Sequence, residues 1–242
     1  AIIGARGSIG RLVMLKAAQI SNEIVLVGRR SANVSSYREL LSLLCREIVK
    51  VANPRPGTIA AKIQALLPAD ASDDDIEALL PTIASDQLGR AMITVSGDYE
   101  AALQEASAVV SCTSRGKPFL SQSLLRKDAV VLDAARPFDF AVSAGACPEI
   151  LEAGLVKQPF PMRYGDNNLL VKQTGMALGC LSETAMLSME GIDENFMIGI
   201  EASLEILETI EQLTRRHGFG LPGAVRHEST EAPNAARPIA VN

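Results

Sequence analysis

Three glycines close to the start of the chain have the spacing GxxGxxG, which differs from the GxGxxG of many NAD-binding loops but meets a similar physical demand. Gly4, Gly7 and Gly10 stand in the stretch GARGSIG, after an apolar run and ahead of a helical pattern. In such a loop one glycine permits the tight turn, a second lets a pyrophosphate approach the backbone, and a third allows the helix to pack closely on the strand. A helix that begins near Ser8 would also direct its free N–H groups and positive dipole end toward phosphates. Glycines also mark ordinary turns, but a strand before and a helix after favour a dinucleotide-binding loop made of Gly4, Ala5, Arg6, Gly7, Ser8, Ile9 and Gly10.

Two arginines follow the next apolar run and bear on which dinucleotide is bound. Arg29 and Arg30 stand in VGRRS, where NAD-binding proteins commonly place a carboxylate for the ribose hydroxyls. A guanidinium matches the geometry of a 2′-phosphate. The pair therefore predicts NADP(H) as the cofactor, the alternative being two solvated arginines after a strand.

A further group of polar residues ends a later strand, in the stretch SCTSRGK. Thr113 and Ser114 are expected at the switch point of the sheet, where they could donate hydrogen bonds to the ribose or the nicotinamide ring. Cys112 lies within the strand and is interpreted as a small buried residue rather than a nucleophile. The next strand ends in DAARP at 133–137, which could line the same crevice.

Cys180 lies in an apolar segment near the C-terminus and has two interpretations. A cysteine in a helix that is apolar on every face belongs to the core, where burial raises the pKa of its thiol and lowers its reactivity. Against this, Glu183 lies one helical turn away, and small neighbours leave room for a flexible ligand chain. His217 and His227 are the only histidines, so a Cys–His dyad or a histidine-rich metal site is not expected.

The elements that would position these residues alternate between strands and helices. Continuous apolar runs predict strands at 23–28, 91–97, 107–114 and 128–135, and helical spacing predicts helices at 9–20, 37–51 and 98–106. This alternation predicts an α/β fold with a doubly wound parallel sheet of the Rossmann type.

Three segments depart from that alternation. Residues 53–90 predict a helical insertion at one edge of the sheet within a dinucleotide-binding domain at 1–172. Residues 173–222 predict an appended pair of helices that carries Cys180, one of them buried all round, and 223–242 predict a disordered tail.

Composition excludes several classes of protein. The chain has 242 residues, a net charge of −5 and a pI near 5.2, which argue against a general nucleic-acid or anionic-membrane surface. No apolar run reaches the roughly 18–20 residues that a membrane span needs. The scattered cysteines form no zinc or disulfide pattern, so a reducing, cytoplasmic setting is expected. The chain begins with Ala1, only three residues before the first glycine, and a further N-terminal region is expected.

Three stretches together resemble one family. GARGSIG, GCLSETAMLSMEG and RRHGF are similar to elements of the long-chain acyl-[acyl-carrier-protein] reductases of cyanobacteria and related bacterial proteins, which carry a GATGDIG-like loop, an ACFAE-like helix ending in a FEG-like element, and a terminal RHGF. The resemblance covers most of residues 1–221, apart from the insertion at 53–90. Its most specific part is the set Cys180, Glu183, Leu187 and Gly191 followed by RHGF.

The resemblance implies an NADPH-dependent reduction of a long-chain fatty acyl thioester, carried on acyl carrier protein or coenzyme A, to a fatty aldehyde. Cys180 would then hold the acyl group as an enzyme thioester, and a partner enzyme would consume the aldehyde. Arg136 stands where the family has a tyrosine, and YGDNNLLV at 164–171 lacks a histidine that the family carries. Two alternatives remain: an NADP-linked dehydrogenase similar to the shikimate or glutamyl-tRNA reductase group, and a non-catalytic NADP-binding module that regulates a partner through the acidic insertion.

Overall fold

The computed structural model describes residues 1–143, 145–166, 168–193 and 202–226. The strands are β1 (Ile2–Ile3), β2 (Ile24–Val27), β3 (Ala84–Ser85), β4 (Ile93–Ser96), β5 (Ala108–Ser111), β6 (Leu120–Ser121), β7 (Val130–Asp133), β8 (Phe140–Ala141), β9 (Ile150–Glu152), β10 (Leu155–Lys157) and β11 (Met176–Leu178). The α-helices are α1 (Ser8–Ala18), α2 (Arg38–Ile48), α3 (Ile59–Gln64), α4 (Asp73–Ile83), α5 (Tyr99–Glu105), α6 (Gly179–Met189) and α7 (Leu204–Arg216).

The central sheet has seven parallel strands in the order β3-β4-β2-β1-β5-β7-β9. Leaving out the short edge strand β3, the remaining six follow the order 3-2-1-4-5-6 of dinucleotide-binding folds. The α/β class and the parallel sheet expected from the sequence are therefore confirmed. In this order β2 and β4 lie on one side of β1, whereas β5, β7 and β9 lie on its other side. The direction in which strands are added to the sheet therefore reverses between β1 and β5.

Both faces of the sheet are covered, because neighbouring residues of each strand point to opposite faces. Ile2 and Leu26 belong to the larger apolar cluster, which packs α1, α2, α3 and α4 onto one face. Ile3 and Val27 belong to a second cluster with α5 on the other face. The continuous apolar strands of the sequence are a consequence of this double burial.

Residues 53–90 contain α3, α4 and the edge strand β3. Helix α4 starts at a capping box, in which the Ser72 side chain accepts from the Asp75 N–H while Asp75 accepts from the Ser72 N–H. Buried apolar residues of this segment, among them Ile63, Ile76 and Leu80, join the larger cluster. The segment is thus part of the main core, and its charged residues lie on the outer side.

The C-terminal part differs from the all-helical expectation for 173–222. Strand β11 pairs antiparallel with β10, and α6 follows β11 directly. Helix α6 buries only Ser182, Met186 and Leu187, so the expectation of a helix buried all round is wrong. Helix α7 starts at Ser203, ends before Gly218 and packs against α1 as well as α6. Of the expected tail at 223–242, the part after residue 226 lies outside the described residues.

Within the described ranges, none of the helices combines the length and the apolar character that crossing a membrane requires.

Candidate functional site

The candidate site lies at the edge of the sheet where the parallel strands end. The register aligns Ser96, Val27, Ile3, Ser111 and Asp133 in one row across the sheet. The loops that follow these residues therefore meet at one edge. Because the connections leave β1 and β5 toward opposite sides, a crevice opens between their carboxyl ends, which is where open α/β sheets bind ligands.

The glycine loop after β1 has the geometry that its sequence predicts. Gly4 has φ +86°, and a Cβ there would lie 2.8 Å from the Cys112 carbonyl oxygen at the end of β5. A Cβ on Gly10 would lie 2.3 Å from the Gly4 carbonyl oxygen, so only glycine lets α1 pack this closely on the loop. On Gly7 the nearest atom would be 3.4 Å away, which is ordinary contact. The protein itself therefore requires glycine at positions 4 and 10, while a Cβ at position 7 would make only ordinary van der Waals contacts.

Helix α1 presents an uncapped N-terminus to this space. Its N-cap Gly7 has no side chain to accept a hydrogen bond, and the first turn contains no acidic residue. The first N–H groups of a helix have no partner within the helix, and the helix dipole adds partial positive charge. The loop after β1 is therefore suited to an anion.

Several guanidinium groups surround the loop. Arg6 is exposed, and its Cζ lies 5.9 Å from the centre of the Tyr37 ring, whose hydroxyl end lies against Gly28 at the end of β2. Arg11 Nε donates to the Arg6 carbonyl oxygen at 3.1 Å. Burial lowers the pKa of Arg11, Glu39 opposes that shift, and the charge of Arg6 adds to it. Arg6 therefore lies between the glycine loop and the end of β2.

Arg29 and Arg30 follow β2 and are both exposed. Arg30 lines an open cleft of about 630 Å³ together with Ser96 at the end of β4 and with Gly97 and Asp98, which follow it. A Cβ on Gly97 would lie 2.4 Å from the Arg30 carbonyl oxygen, so the two loops touch at their backbones. The Asp98 carboxylate accepts hydrogen bonds from two N–H groups at the start of α5 and thus caps that helix. The cleft thus lies between the loops that follow β2 and β4, and its lining includes Arg30 but no residue of the glycine loop.

Thr113 and Ser114 lie at the carboxyl end of β5, as expected, but their hydroxyl groups differ in availability. Thr113 Oγ1 donates to Asp139 Oδ1 at 2.6 Å and accepts from the Arg115 N–H at 3.2 Å. Ser114 is exposed. Ser114 is therefore the freer of the two to meet a ligand, while the Thr113 hydroxyl has a partner within the protein.

Cys112 is buried, and its thiol donates to the Ile3 carbonyl oxygen at 3.2 Å. Burial raises the pKa of this thiol to about 12, and the carboxylates of Asp139 and Asp133 add to the shift. This is the environment of an unreactive core cysteine.

Two fully buried carboxyl groups lie at this edge; the sequence reasoning included Asp133 in the stretch DAARP without giving it a role, and it missed Asp139. Asp133 ends β7 and Asp139 follows six residues later, and neither side chain is exposed. Burial raises the pKa of Asp133 to about 6, although hydrogen bonds from the N–H groups of Phe140 and Ala135 oppose the shift. The signal available in the sequence was the stretch DAARPFDF, in which two acidic residues flank a turn immediately after a strand.

Cys180 is exposed rather than buried in a helical core, so the expectation from its apolar neighbours is wrong on this point. It is the second residue of α6, and the preceding Gly179 N–H donates to the Gly154 carbonyl oxygen at 2.8 Å, just beyond the end of β9. Cys180 therefore lies near the end of β9, at the same edge of the sheet as the glycine loop. Since β9 is three strands from β1, the ends of these two strands are about 14 Å apart. Glu183 is half-buried, and this burial raises the pKa of its carboxyl group.

His217 does not form a dyad with Cys180. Its Nε2 lies 2.7 Å from Glu190 Oε1, just past the far end of α6, while Arg216 contacts the other oxygen of Glu190 at 2.7 Å. The length of α6 separates this cluster from Cys180 by about 15 Å. His227 lies outside the described residues. In the described ranges, no group of three or more His, Cys, Asp or Glu side chains could hold a metal ion.

Comparison with known proteins finds a partial match to a curated protein. No protein-family model matches the chain. The chain is 26% identical over 178 residues to the aminotransferase PigE of Serratia sp. (strain ATCC 39006), and the alignment covers 68% of this chain and 20% of that protein. The chain therefore spans about a fifth of the length of this curated relative.

This match overturns the activity expected from the resemblance to acyl-[acyl-carrier-protein] reductases. The curated relative is named as an aminotransferase, not as a reductase of fatty acyl thioesters. The acyl-enzyme role of Cys180, the acyl carrier protein and the aldehyde-consuming partner were consequences of that resemblance and are withdrawn with it.

Proposed function

We propose that this chain is an NADP(H)-binding unit of an enzyme. The observation that carries the proposal is the close contact of the glycine loop with the end of β5, in a sheet with the strand order of dinucleotide-binding folds. The requirement for glycine at positions 4 and 10, and the lack of a side chain at Gly7 where α1 begins, are features that such a loop needs. When bound, the nicotinamide ring would supply hydride transfer.

The residues divide naturally between the two halves of the dinucleotide. The N-terminus of α1 and the loop from Gly4 to Gly10 would hold the pyrophosphate through backbone N–H groups. Arg29, Arg30 and Arg6 would hold the 2′-phosphate, because all three are exposed and lie in the loops after β1 and β2 that border the ribose position. The end of β5, with Ser114, would border the nicotinamide half.

Amino-group transfer is a second candidate, favoured by the match to an aminotransferase. Enzymes that transfer amino groups ordinarily hold pyridoxal phosphate as a Schiff base on a lysine placed in a pocket. The lysines here are exposed, or in one case half-buried: Lys16, Lys50, Lys62, Lys117, Lys127, Lys157 and Lys172. They do not fit that group. We therefore infer that the chain contributes nucleotide binding to such an enzyme, and not the lysine of the transfer step.

The two chemistries are compatible within one enzyme. An amino group is transferred to a carbonyl carbon, and a nicotinamide hydride is exchanged at the same kind of carbon. A unit that binds NADP(H) could therefore act on the carbonyl compound that amino-group transfer uses.

Equilibrium titration with NADPH and NADH tests the main proposal. The chain should bind NADPH more tightly than NADH, and Arg29→Ala and Arg30→Ala should each reduce that preference about tenfold, the order expected for loss of a charge-assisted hydrogen bond. Arg126→Ala is the matched control. Arg126 is an exposed arginine paired with Asp128 ahead of β7, at the opposite edge of the sheet. Equal affinity for the two cofactors, or an equal effect of the control, would contradict the assignment.

Borohydride reduction in the presence of pyridoxal phosphate tests the second candidate. Intact mass analysis should show no adduct that is specific to one lysine and protected by an amino acceptor. A stoichiometric adduct at a single lysine would show that the chain itself carries the transfer step.

A further inference from the structure

Two buried carboxylates join the loop after β5 to the loop after β7, and no motif or match accounts for them. We propose that Asp139, held in place by Asp133, is a positioning residue that fixes the end of β5 as the wall of the nicotinamide half of the dinucleotide site. The inference rests on the proposed binding of NADP(H).

Asp139 holds the end of β5 through three hydrogen bonds. Its Oδ2 accepts from Ser111 Oγ at 2.6 Å and from the Thr113 N–H at 3.1 Å, and its Oδ1 accepts from Thr113 Oγ1 at 2.6 Å. Asp139 itself follows β7, so these bonds span two adjacent strands. Because the carboxylate has no solvent exposure, water cannot replace a bond that is lost.

Asp133 in turn fixes Asp139. Its Oδ2 accepts from the N–H groups of Asp139 at 2.8 Å and Phe140 at 2.9 Å, and its Oδ1 accepts from the Ala135 N–H at 3.1 Å. The loop that leaves β7 is therefore folded back around one carboxylate, and this brings the second carboxylate against β5. Arg136, in the same loop, pairs with Glu152 at 2.8 Å and with nearby carbonyl oxygens.

The position of the end of β5 matters because it faces the glycine loop directly. A Cβ on Gly4 would lie 2.8 Å from the Cys112 carbonyl oxygen and 3.2 Å from Thr113 Cγ2. The crevice between β1 and β5 is thus bounded by the segment that Asp139 holds. Arg29 and Arg30, two of the three arginines that would take the 2′-phosphate, lie on the other side of β1, after β2. Loss of the Asp139 contacts should therefore weaken the binding of the nicotinamide half of the cofactor and not that of the adenosine half.

The test compares two probes on two variants of Thr113. NADPH spans both halves of the site, whereas adenosine 2′,5′-bisphosphate reaches only the adenosine half. Thr113→Val keeps the side-chain volume nearly constant but removes the hydroxyl that donates to Asp139. This variant should bind NADPH about tenfold more weakly and should bind the bisphosphate with unchanged affinity. Thr113→Ser, which keeps the hydroxyl, should restore the wild-type ratio of the two affinities. Asp139→Asn, where it folds, should behave as Thr113→Val does.

The outcomes separate this inference from the proposed function. Equal losses for both probes, or no loss for NADPH in Thr113→Val, would overturn the positioning role while the wild-type chain still binds NADPH. A wild-type chain that binds neither probe would overturn the proposed function and this inference with it. A change in melting temperature without a change in the affinity ratio would assign the two carboxylates to stability alone.

Discussion

Replacing Gly10 by alanine should damage the fold, whereas the same change at Gly7 should damage only nucleotide binding. The two glycines lie three residues apart in one loop. The structure separates them. A Cβ on Gly10 would lie 2.3 Å from the Gly4 carbonyl oxygen and 2.6 Å from the Ala5 Cα, and both of these are backbone atoms.

The expected cost follows from these distances. Neither backbone atom can rotate away, so α1 would have to move relative to the loop by several tenths of an ångström or more. Overpacking of this kind costs about 1–3 kcal/mol, and a contact this short with backbone places Gly10→Ala near 3 kcal/mol. For a chain of this size that corresponds to a fall in Tm of about 6–12 °C. Gly7→Ala, with its nearest contact at 3.4 Å, should cost within about 1 kcal/mol, the size of an N-cap change.

Thermal unfolding followed by circular dichroism, together with NADPH titration, measures both effects. Gly10→Ala should show the large fall in Tm. Gly7→Ala should keep a Tm close to that of the wild type and lose at least about tenfold in NADPH affinity, because its methyl group occupies the space that a pyrophosphate would approach. Similar changes in Tm for the two variants, or wild-type NADPH affinity in Gly7→Ala, would refute this account of the loop.

Three further predictions concern charge, reactivity and helix capping. Burial raises the pKa of Asp133 from 3.8 to about 6, so the folded state binds its proton more tightly than the unfolded state and gains stability as the pH falls from 6 toward 4. In urea titrations, the free energy of unfolding of the wild type should therefore rise by up to about 3 kcal/mol relative to that of Asp133→Asn between pH 7 and pH 4. A difference in free energy of unfolding that does not change with pH would contradict the raised pKa. A thiol reagent should modify Cys180 and Cys147 rapidly in the native protein and should reach Cys45 and Cys112 only after denaturation, because burial raises the pKa of each of these two thiols to about 12. Ser72→Ala should cost about 1 kcal/mol in urea titrations through loss of the α4 capping box, and an unchanged midpoint would show that the box is dispensable.

Local pattern was sufficient to predict four strands of the central sheet and the glycine loop. Helices α2 and α5 and strands β2, β4, β5 and β7 lie within the ranges that periodicity indicated, and α1 begins one residue ahead of its range. Each of these elements is longer than three residues and buries a regular set of side chains. The short strands β3, β6, β8, β9, β10 and β11 have two or three residues, too few to show a period. Their pairing depends on partners elsewhere in the chain.

The site was predictable only in part, for the same reason. Gly4 and Gly10 have their roles fixed by residues next to them in sequence or one strand away, and the motif indicated them. Asp139 acts on Thr113 across a separation of 26 residues, which no local pattern records. Cys180 follows an apolar stretch, but α6 buries a single narrow face, so its exposure depends on what packs against that helix.

The resemblance to acyl-[acyl-carrier-protein] reductases was a poor guide to activity for a different reason. It rested on a loop shared by many dinucleotide-binding folds and on a short set of residues around Cys180. Function depends on the site and not on the fold. The correction came from a match that covers a fifth of an aminotransferase.

Titration of the chain with NADPH, followed by the same titration of a double Arg29→Ala, Arg30→Ala variant, tests the central claim most directly. The wild-type chain should bind one NADPH with clear preference over NADH, and the double variant should bind both cofactors with similar, weaker affinity while its Tm stays unchanged. Absence of NADPH binding in the wild-type chain, or an undiminished preference in the double variant, would contradict the assignment of this edge of the sheet to NADP(H).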